Sequence, residues 1–323
     1  MNAAVLTAYG SPGEFEVQAL SDPTPGPGEI RVRVAASTVT AGDGELRRLD
    51  MPWLFMVPLR LWLGWSRPRP GTVLGMEVAG VVDAVGEGVA RFAVGERVVG
   101  ATGMTFGGNA TSALLSVHEL VAPVPDEVPW DEVAPLPIGG LAALGYLQLG
   151  GLRDGQRVLV RGASGSIGSY AVQLAKAAGA SVVGVCGPNG LAAVADLGAD
   201  EAVDYTVDDI FDRGQSFDLV LDVVGGVSIG KGLRLVRPGG TYVRATVPGL
   251  WDVMGAVWAR LFGPSRVVLG DAGGSSGDLA GLVGRVADGS LRTLVHARFP
   301  LERIEDAHAS NDAGDKVGHI LVM

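Results

Sequence analysis

The segment 157–180, RVLVRGASGSIGSYAVQLAKAAGA, constrains the fold more than any other part of the chain. It opens on Val158, Leu159 and Val160, an apolar run short enough for a buried strand. A glycine-rich turn follows: Gly162, Ala163, Ser164, Gly165, Ser166, Ile167, Gly168. Beyond it Ile167, Tyr170, Ala171, Leu174, Ala175 and Ala178 recur at helical spacing, and Gly179 suits a C-cap. Strand, glycine-rich turn and helix are the context of a dinucleotide fingerprint, spelled here AxxGxxG by Ala163, Gly165 and Gly168. Glycines let the backbone approach a pyrophosphate, whose charge meets the free N–H groups of the helix N-terminus. The plainer reading is a turn that packs a helix on a sheet and holds no ligand.

At 323 residues the chain is long for one compact domain, so two are expected. A hydrophobic share of 47% is ample for two cores. A net charge of -10 without a clustered basic face argues against nucleic acid as a partner. Cys186 is the single cysteine, which excludes a disulfide framework and a multi-cysteine metal site and fits a reducing compartment. The opening MNAAVLTAYG reads as a strand rather than a signal peptide, so a cytoplasmic protein with no membrane partner is the expectation.

Short strands are expected at 3–5 and 15–17, then a strand in which Ile30, Val32 and Val34 alternate with Arg31 and Arg33. Residues 42–49 suit a helical turn. The apolar segment 51–70, MPWLFMVPLRLWLGWSRPRP, is interrupted by prolines and arginines well short of the ~20 residues of a membrane span. It reads as a core helix or as an apolar flap over a pocket, and Trp53, Trp62 and Trp65 favour the flap. Glycine-punctuated strands over 71–123 suggest a small barrel. Helices are expected at 131–136 and 140–149.

After the fingerprint, strands at 181–185, 202–205, 218–223, 241–247 and 266–269 alternate with helices at 191–197 and 229–236, the pattern of a parallel, doubly wound sheet. Pro238, Gly239 and Gly240 read as the turn closing the second helix. In 249–269, Trp251, Met254, Val257, Trp258 and Leu261 fall at helical spacing. A core stripe and a pocket wall or subunit contact are both open readings there. A helix at 279–286 and short elements at 295–299, 301–309 and 319–323 suggest that the C-terminus rejoins the N-terminal domain.

Several long motifs in one order, PTPGPGEIRVRVAAS, LGMEVAGVVDAVGEGV, VLVRGASGSIGSYAVQLAKAAGA, LGADEAVDYT, DLVLDVVGG and RPGGTYV, resemble the medium-chain dehydrogenase/reductase superfamily in its zinc-free quinone oxidoreductase and enoyl reductase-like branch. The resemblance covers nearly the whole chain. It implies an α/β fold: a GroES-like β-barrel domain from both termini (1–123 and 290–323), a Rossmann domain at 124–289, and an active-site cleft between them. A homodimer is expected from the same resemblance and from the second apolar insert.

Zinc-dependent relatives carry a Cys within the loop matching 37–43, a His at the position of Met76, and a four-cysteine lobe. Here the loop is Ser37-Thr38-Val39-Thr40-Ala41-Gly42-Asp43 and Cys186 is the lone cysteine, so no metal is expected. The cofactor's ribose is read at the end of the second strand, where NAD enzymes place a carboxylate. Cys186, Gly187, Pro188 and Asn189 stand there, which favours NADPH over NADH, although Asn189 occupies the place of a basic residue found in many NADPH users. Tyr205 matches a tyrosine that contacts the 2′-phosphate in relatives, and Val224, in DVVGG, falls at a cofactor-contacting position. In the catalytic loop Thr40 and Glu45 replace an Asn and a Tyr of quinone reductases, Asp43 matches, and Ala142 replaces a threonine. Thr40 and Asp43 are the candidates for positioning substrate, with Glu45, Trp53, Met76, Trp251 and Trp258 around the pocket.

The implied activity is zinc-independent hydride transfer from NADPH to a conjugated acceptor, an enone, enoyl group or quinone, carried on a small hydrophobic molecule. Only three of the 25 basic residues are lysines (Lys176, Lys231 and Lys316), a bias of GC-rich bacterial genomes, which points to a polycyclic natural-product intermediate. The losses at 40, 45 and 142 motivate the alternative, a non-redox sensor or cyclisation guide that binds NADPH or an aromatic ligand on the same scaffold.

Overall fold

The computed structural model describes residues 1–50, 53–246, 249–270 and 272–323, the side chains of 53–55, 104, 250, 260 and 262 excepted. The chain divides into two units, Met1–Ile138 with Ser275–Gly289 and Val295–Met323, and Gly139–Gly274 with Ser290–Leu294. These limits differ from those read in the sequence at 124 and 290. Residues up to 138 stay with the first unit because the Ile138 N–H donates to the buried Glu77 carboxylate (2.8 Å). The segment 275–289 joins it because the Ser276 hydroxyl donates to the Glu119 carbonyl (2.7 Å) and accepts from the Val121 N–H (3.2 Å).

The first unit contains β1 (Asn2–Leu6), β2 (Phe15–Ala19), β3 (Glu29–Val39), α1 (Ala41–Arg48), α2 (Trp53–Leu63), β4 (Glu77–Val85), β5 (Arg97–Ala101), β6 (Ser112–Ser116), β7 (Val121–Pro123) and α3 (Trp130–Val133). The second contains α4 (Leu141–Gly150), β8 (Arg157–Arg161), α5 (Ser166–Ala177), β9 (Ser181–Cys186), α6 (Leu191–Asp196), β10 (Glu201–Asp204), β11 (Phe217–Asp222), α7 (Ile229–Leu233), β12 (Val236–Arg244), α8 (Leu250–Phe262) and β13 (Arg266–Leu269). The chain then returns to the first unit with α9 (Ser276–Ala287), β14 (Val295–Phe299), α10 (Ile304–Asp312) and β15 (His319–Val322).

In the first unit β3 is long enough to serve three partners. Its first half pairs with β6, its last residues with β15, and nearly its whole length with β4. The sheet runs β14-β15-β3-β4-β5-β7, and Ile30, Val32, Val78, Val98 and Leu115 fill its interior. The return of the C-terminus follows from a second core in which Ala4, Leu6 and Phe15 pack on Ile304, Ala307, Ile320 and Val322. Helix α2 buries Leu59 and Leu63 against Leu46, Leu49 and Phe106, while Leu61 and Trp62 stay exposed, as does Trp65 beyond its end.

In the second unit the order is β10-β9-β8-β11-β12-β13, with every pairing parallel. The chain leaves β8 toward one edge and re-enters at β11 toward the other, so the switch point lies between β8 and β11. One reading fails here. Pro238, Gly239 and Gly240 lie inside β12 as an irregularity, with Val236 opposite Phe217 and Thr241 opposite Leu219. The proline-glycine signal of a turn is absorbed as a bulge, and α7 ends earlier than expected. By length and composition the helical stretch Trp130–Gly150 could cross a membrane; 72% of its most apolar window is buried inside the protein, the pattern of a core helix.

Arg47 on α1 is fully buried, donating to the Gly10 carbonyl and pairing with Asp312. That positive charge, after burial itself, holds the nearby His308 imidazole down at about 3. Asp312→Ala strands the guanidinium. Because Asp312 is itself partly exposed, the expected loss is about 2–3 kcal/mol, below the 3–5 of a fully buried pair, read from urea denaturation.

Candidate functional site

The fingerprint turn is built by close approach. Gly162 adopts φ +83°, and its N–H and that of Ala163 both donate to the Val185 carbonyl of β9 (2.9 and 3.0 Å). A methyl group at Gly168 would lie 2.0 Å from the Gly162 carbonyl oxygen, so only glycine lets α5 start against the turn. Gly165 takes the N-cap with an extended backbone and brings no side chain to the first N–H groups of α5. Ser164 closes the turn against Gly190, where a Cβ would meet the Ser164 Cβ at 2.5 Å. The result is a cradle at a helix N-terminus, beside the switch point, whose capping residue carries no side chain, and it fits a pyrophosphate.

The residues expected to read the cofactor's ribose lie at the ends of β9 and β10. Cys186 is buried and its thiol is pushed up to about 11, first by burial and then by Asp204, its register partner on β10. Asn189 is exposed, and Tyr205 is exposed with its ring within van der Waals reach of Gly187. Asp204 is a carboxylate that sequence reasoning missed. Its Oδ1 accepts from the Thr206 N–H (2.9 Å) and hydroxyl (2.7 Å), a local Asx turn.

Asp222, read only as part of a strand, is the organising residue here. It is completely buried at the end of β11, and accepts from Arg161 at the end of β8 (2.6 Å), from the Tyr242 hydroxyl of β12 (2.5 Å), and from the N–H groups of Val224 (3.1 Å) and Gly225 (2.9 Å). Val224 is thereby held exposed beside Gly162. A neighbouring carboxylate and burial, burial first, push the Tyr242 phenol far above its usual range, so it stays a donor.

The polar groups expected to handle substrate lie in the first unit and are turned largely to structure. Thr40 is the N-cap of α1 in a capping box with Asp43: the Thr40 N–H (2.8 Å) and hydroxyl (2.7 Å) donate to Asp43 Oδ2, and the Asp43 N–H donates back to the Thr40 hydroxyl (3.2 Å). Asp43 Oδ1 accepts the Gly75 N–H (3.0 Å). Both oxygens of this buried carboxylate therefore hold backbone. Burial raises its pKa despite those donors. Met76 lies beside Thr40, its Sδ 4.0 Å from the hydroxyl. Glu45 is half-buried, with burial raising its pKa and Arg48 opposing. The Trp53 side chain lies outside the described residues. Trp251 and Trp258 are both exposed on α8.

Sequence reasoning passed over Glu77, adjacent to Met76. It is fully buried, accepting from the Thr38 hydroxyl (2.6 Å) and the Ile138 N–H (2.8 Å), and burial lifts its carboxyl to about 8.

Comparison with known proteins adds to this geometry. The pattern described as "Alcohol dehydrogenase GroES-like domain" matches residues 26–126, and that described as "Zinc-binding dehydrogenase" matches residues 197–322. A chloroplast envelope quinone oxidoreductase homolog of Arabidopsis thaliana is 29% identical over all of this chain and 98% of its own length. A mitochondrial NAD(P)H oxidoreductase of Mus musculus is 29% identical over 92% of this chain and 82% of its own. The solved structure of CurK enoyl reductase aligns with a TM-score of 0.81 and 25% identity, over 99% of this chain and 98% of its own. The chain belongs to the medium-chain dehydrogenase/reductase superfamily, in its quinone oxidoreductase-like branch.

As a member of that superfamily the protein is an oxidoreductase. One matching pattern names zinc, and the donors in this chain do not fit it. Thioether Met76 stands where the resemblance places an imidazole, the loop 37–43 holds hydroxyls and the Asp43 carboxylate but no thiol, and both Asp43 oxygens are occupied by N–H groups. Among the described residues no three of His, Cys, Asp and Glu gather as a ligand set.

Two outcomes follow for this oxidoreductase. Gly168→Ala, whose methyl collides with the Gly162 carbonyl, is expected to weaken nicotinamide cofactor binding more than tenfold, whereas Gly165→Ala, 3.3 Å from the same oxygen, is expected to weaken it less; a fluorescence titration reads both. Glu77 ionises far less readily folded than unfolded, so stability present below pH ~4.5 declines as pH rises toward 8. Glu77→Gln keeps an acceptor for Ile138 and a neutral group for Thr38. Its melting temperature is expected to fall less than the parent's between pH 6 and 9.

Proposed function

We propose that this protein is a zinc-independent reductase that uses NADPH to reduce a conjugated acceptor, an enone or a quinone, on a small hydrophobic molecule. The observation that carries the reading is the cradle at 162–168: a glycine-rich turn at a helix N-terminus, at the switch point of a parallel sheet. The relatives named as quinone oxidoreductase, NAD(P)H oxidoreductase and enoyl reductase support the reaction class.

Preference for NADPH rests on the end of β9. No carboxylate stands at 186–189 to repel a 2′-phosphate, Asn189 and Tyr205 are exposed beside Gly187, and Asp204 is turned onto Thr206. When bound, the reduced nicotinamide supplies the hydride; the acceptor gains a proton from solvent or a hydroxyl group. The chain's own part is to fix the cofactor by backbone at 162–168 and 223–225 and to supply an apolar seat for the acceptor. We also propose a homodimer, supported by the exposed apolar residues of α8 next to the edge strand β13.

A second reading, ligand binding without net hydride transfer, draws on the Thr40–Asp43 pair, whose polar atoms satisfy each other. Acceptor-dependent NADPH oxidation separates the two: turnover with a quinone or enone supports the reductase, and none across a panel of both favours the binding protein.

Micromolar NADPH affinity is expected, with NADH at least tenfold weaker, about 1.4 kcal/mol. Asn189→Asp places a carboxylate beside the 2′-phosphate and is expected to weaken NADPH severalfold while leaving NADH unchanged. Equal affinities for the two cofactors in the parent would overturn the NADPH preference.

A further inference from the structure

Val57, Pro58, Leu61 and Trp62 follow the i, i+1, i+4, i+5 spacing of one face of α2, and all four are exposed. Trp65 extends the row beyond the helix end. Leu61 is 65% and Trp65 58% exposed, so these side chains meet water rather than a core. A helix face turned to water is ordinarily polar, and this row contains no polar residue. We propose that it docks the protein on the surface of a lipid bilayer that carries anionic headgroups. The docking rests on the first unit alone and not on the reductase reading.

Charge, side-chain type and size together select the occupant. Residues 51–76 contain no Asp or Glu although the whole chain carries -10, and Arg60, Arg67 and Arg69 stand within them. An apolar row among arginines complements hydrocarbon beneath a layer of phosphate: the guanidinium stays among the headgroups while its stem follows apolar surface. Tryptophan settles at the same boundary, because its ring is apolar and its N–H reaches water. A second copy of the chain suits the face poorly. A row of five side chains is small against the ~800 Å² per partner of a stable protein interface. Pairing α2 with its own copy would also set arginines against arginines.

The surface is braced from behind. Gly64 has φ +126°, and a methyl group there would lie 2.0 Å from the Arg67 carbonyl oxygen, so only glycine folds the chain back after α2. The Arg69 N–H donates to the Leu63 carbonyl (2.7 Å) and its guanidinium to the Leu61 carbonyl (3.0 Å). Arg60 donates to the Trp65 carbonyl (3.2 Å), and the Tyr9 hydroxyl to the Gly64 carbonyl (2.9 Å). These bonds satisfy carbonyls at the helix C-terminus and fix the turn that carries Trp65. On the inner face of α2, Leu59 and Leu63 belong to the cluster on which Met76 packs. Docking by the outer face sets Met76 one helix away from the phase in which a small hydrophobic acceptor concentrates, a link that does rest on the reductase reading. Peripheral docking needs neither a spanning length nor a leader, the two features behind the expectation of no membrane partner.

The test is flotation of the whole protein with vesicles of phosphatidylcholine and phosphatidylglycerol, and with vesicles of phosphatidylcholine alone. The parent is expected to float with the anionic vesicles, and added salt to weaken the association. The double variant Leu61→Ser, Trp65→Ser removes two outward side chains, both more than half exposed. Its melting temperature is expected to hold while its vesicle affinity falls roughly tenfold or more. Arg67→Glu is expected to lower affinity for the anionic vesicles only, and Trp258→Ser on α8, the control, to change neither. A parent that floats with neither kind of vesicle overturns the proposal, as does equal flotation with both, or a double variant that floats like the parent. Loss of self-association rather than of flotation in the double variant, read by light scattering, also overturns it, because the face is then a contact between copies. Flotation of a protein that oxidises NADPH with no quinone or enone keeps the docking and removes only the reductase reading.

Discussion

The buried carboxylate of Asp222 ties together the ends of three adjacent parallel strands. A charge without solvent survives only when its lone pairs are filled, and here Arg161, Tyr242 and two backbone N–H groups fill them. The same bonds fix the turn after β11, and Val223 and Val224 in that turn form the surface on which Gly162 rests. The cradle at 162–168 is thus positioned from two sides, by the Val185 carbonyl of β9 and by a turn that hangs from Asp222. Hydrogen bonds to a charged group are the stronger kind, and four of them fix the turn on which the cradle rests.

The first unit uses its buried acids differently. Asp43 and Glu77 each accept backbone N–H groups from distant segments, Gly75 and Ile138, and each also takes a threonine hydroxyl. These carboxyls join loops that have no strand between them to join. Their cost is desolvation, seen in the upward pull on both pKa values. A chain that resembles metal enzymes in outline therefore keeps the acid beside Met76 as architecture, with a thioether where a metal ligand would stand.

The two tryptophan-bearing helices show what periodicity leaves open. In α2 and α8 the apolar residues recur at helical spacing, and a stripe of that kind can face a core, a ligand or water. Helix α2 turns Leu59 and Leu63 inward and leaves Trp62 at the surface. Helix α8 turns Trp251, Met254, Trp258 and Leu261 outward, so the core-stripe reading fails.

By itself the sequence determined the alternating elements of the second unit, the site of the fingerprint and the return of the C-terminus. These follow from local signals, apolar runs between glycines and a helix that must start at Gly165, which short-range sterics decide. It misread residues 238–240, because a proline and two glycines look the same in a turn and in a bulge whose pairing depends on a strand over twenty residues away. It also could not rank the acids. Asp43 was legible as a candidate and Glu77 and Asp222 were not, since what distinguishes them is burial and partners drawn from across each unit.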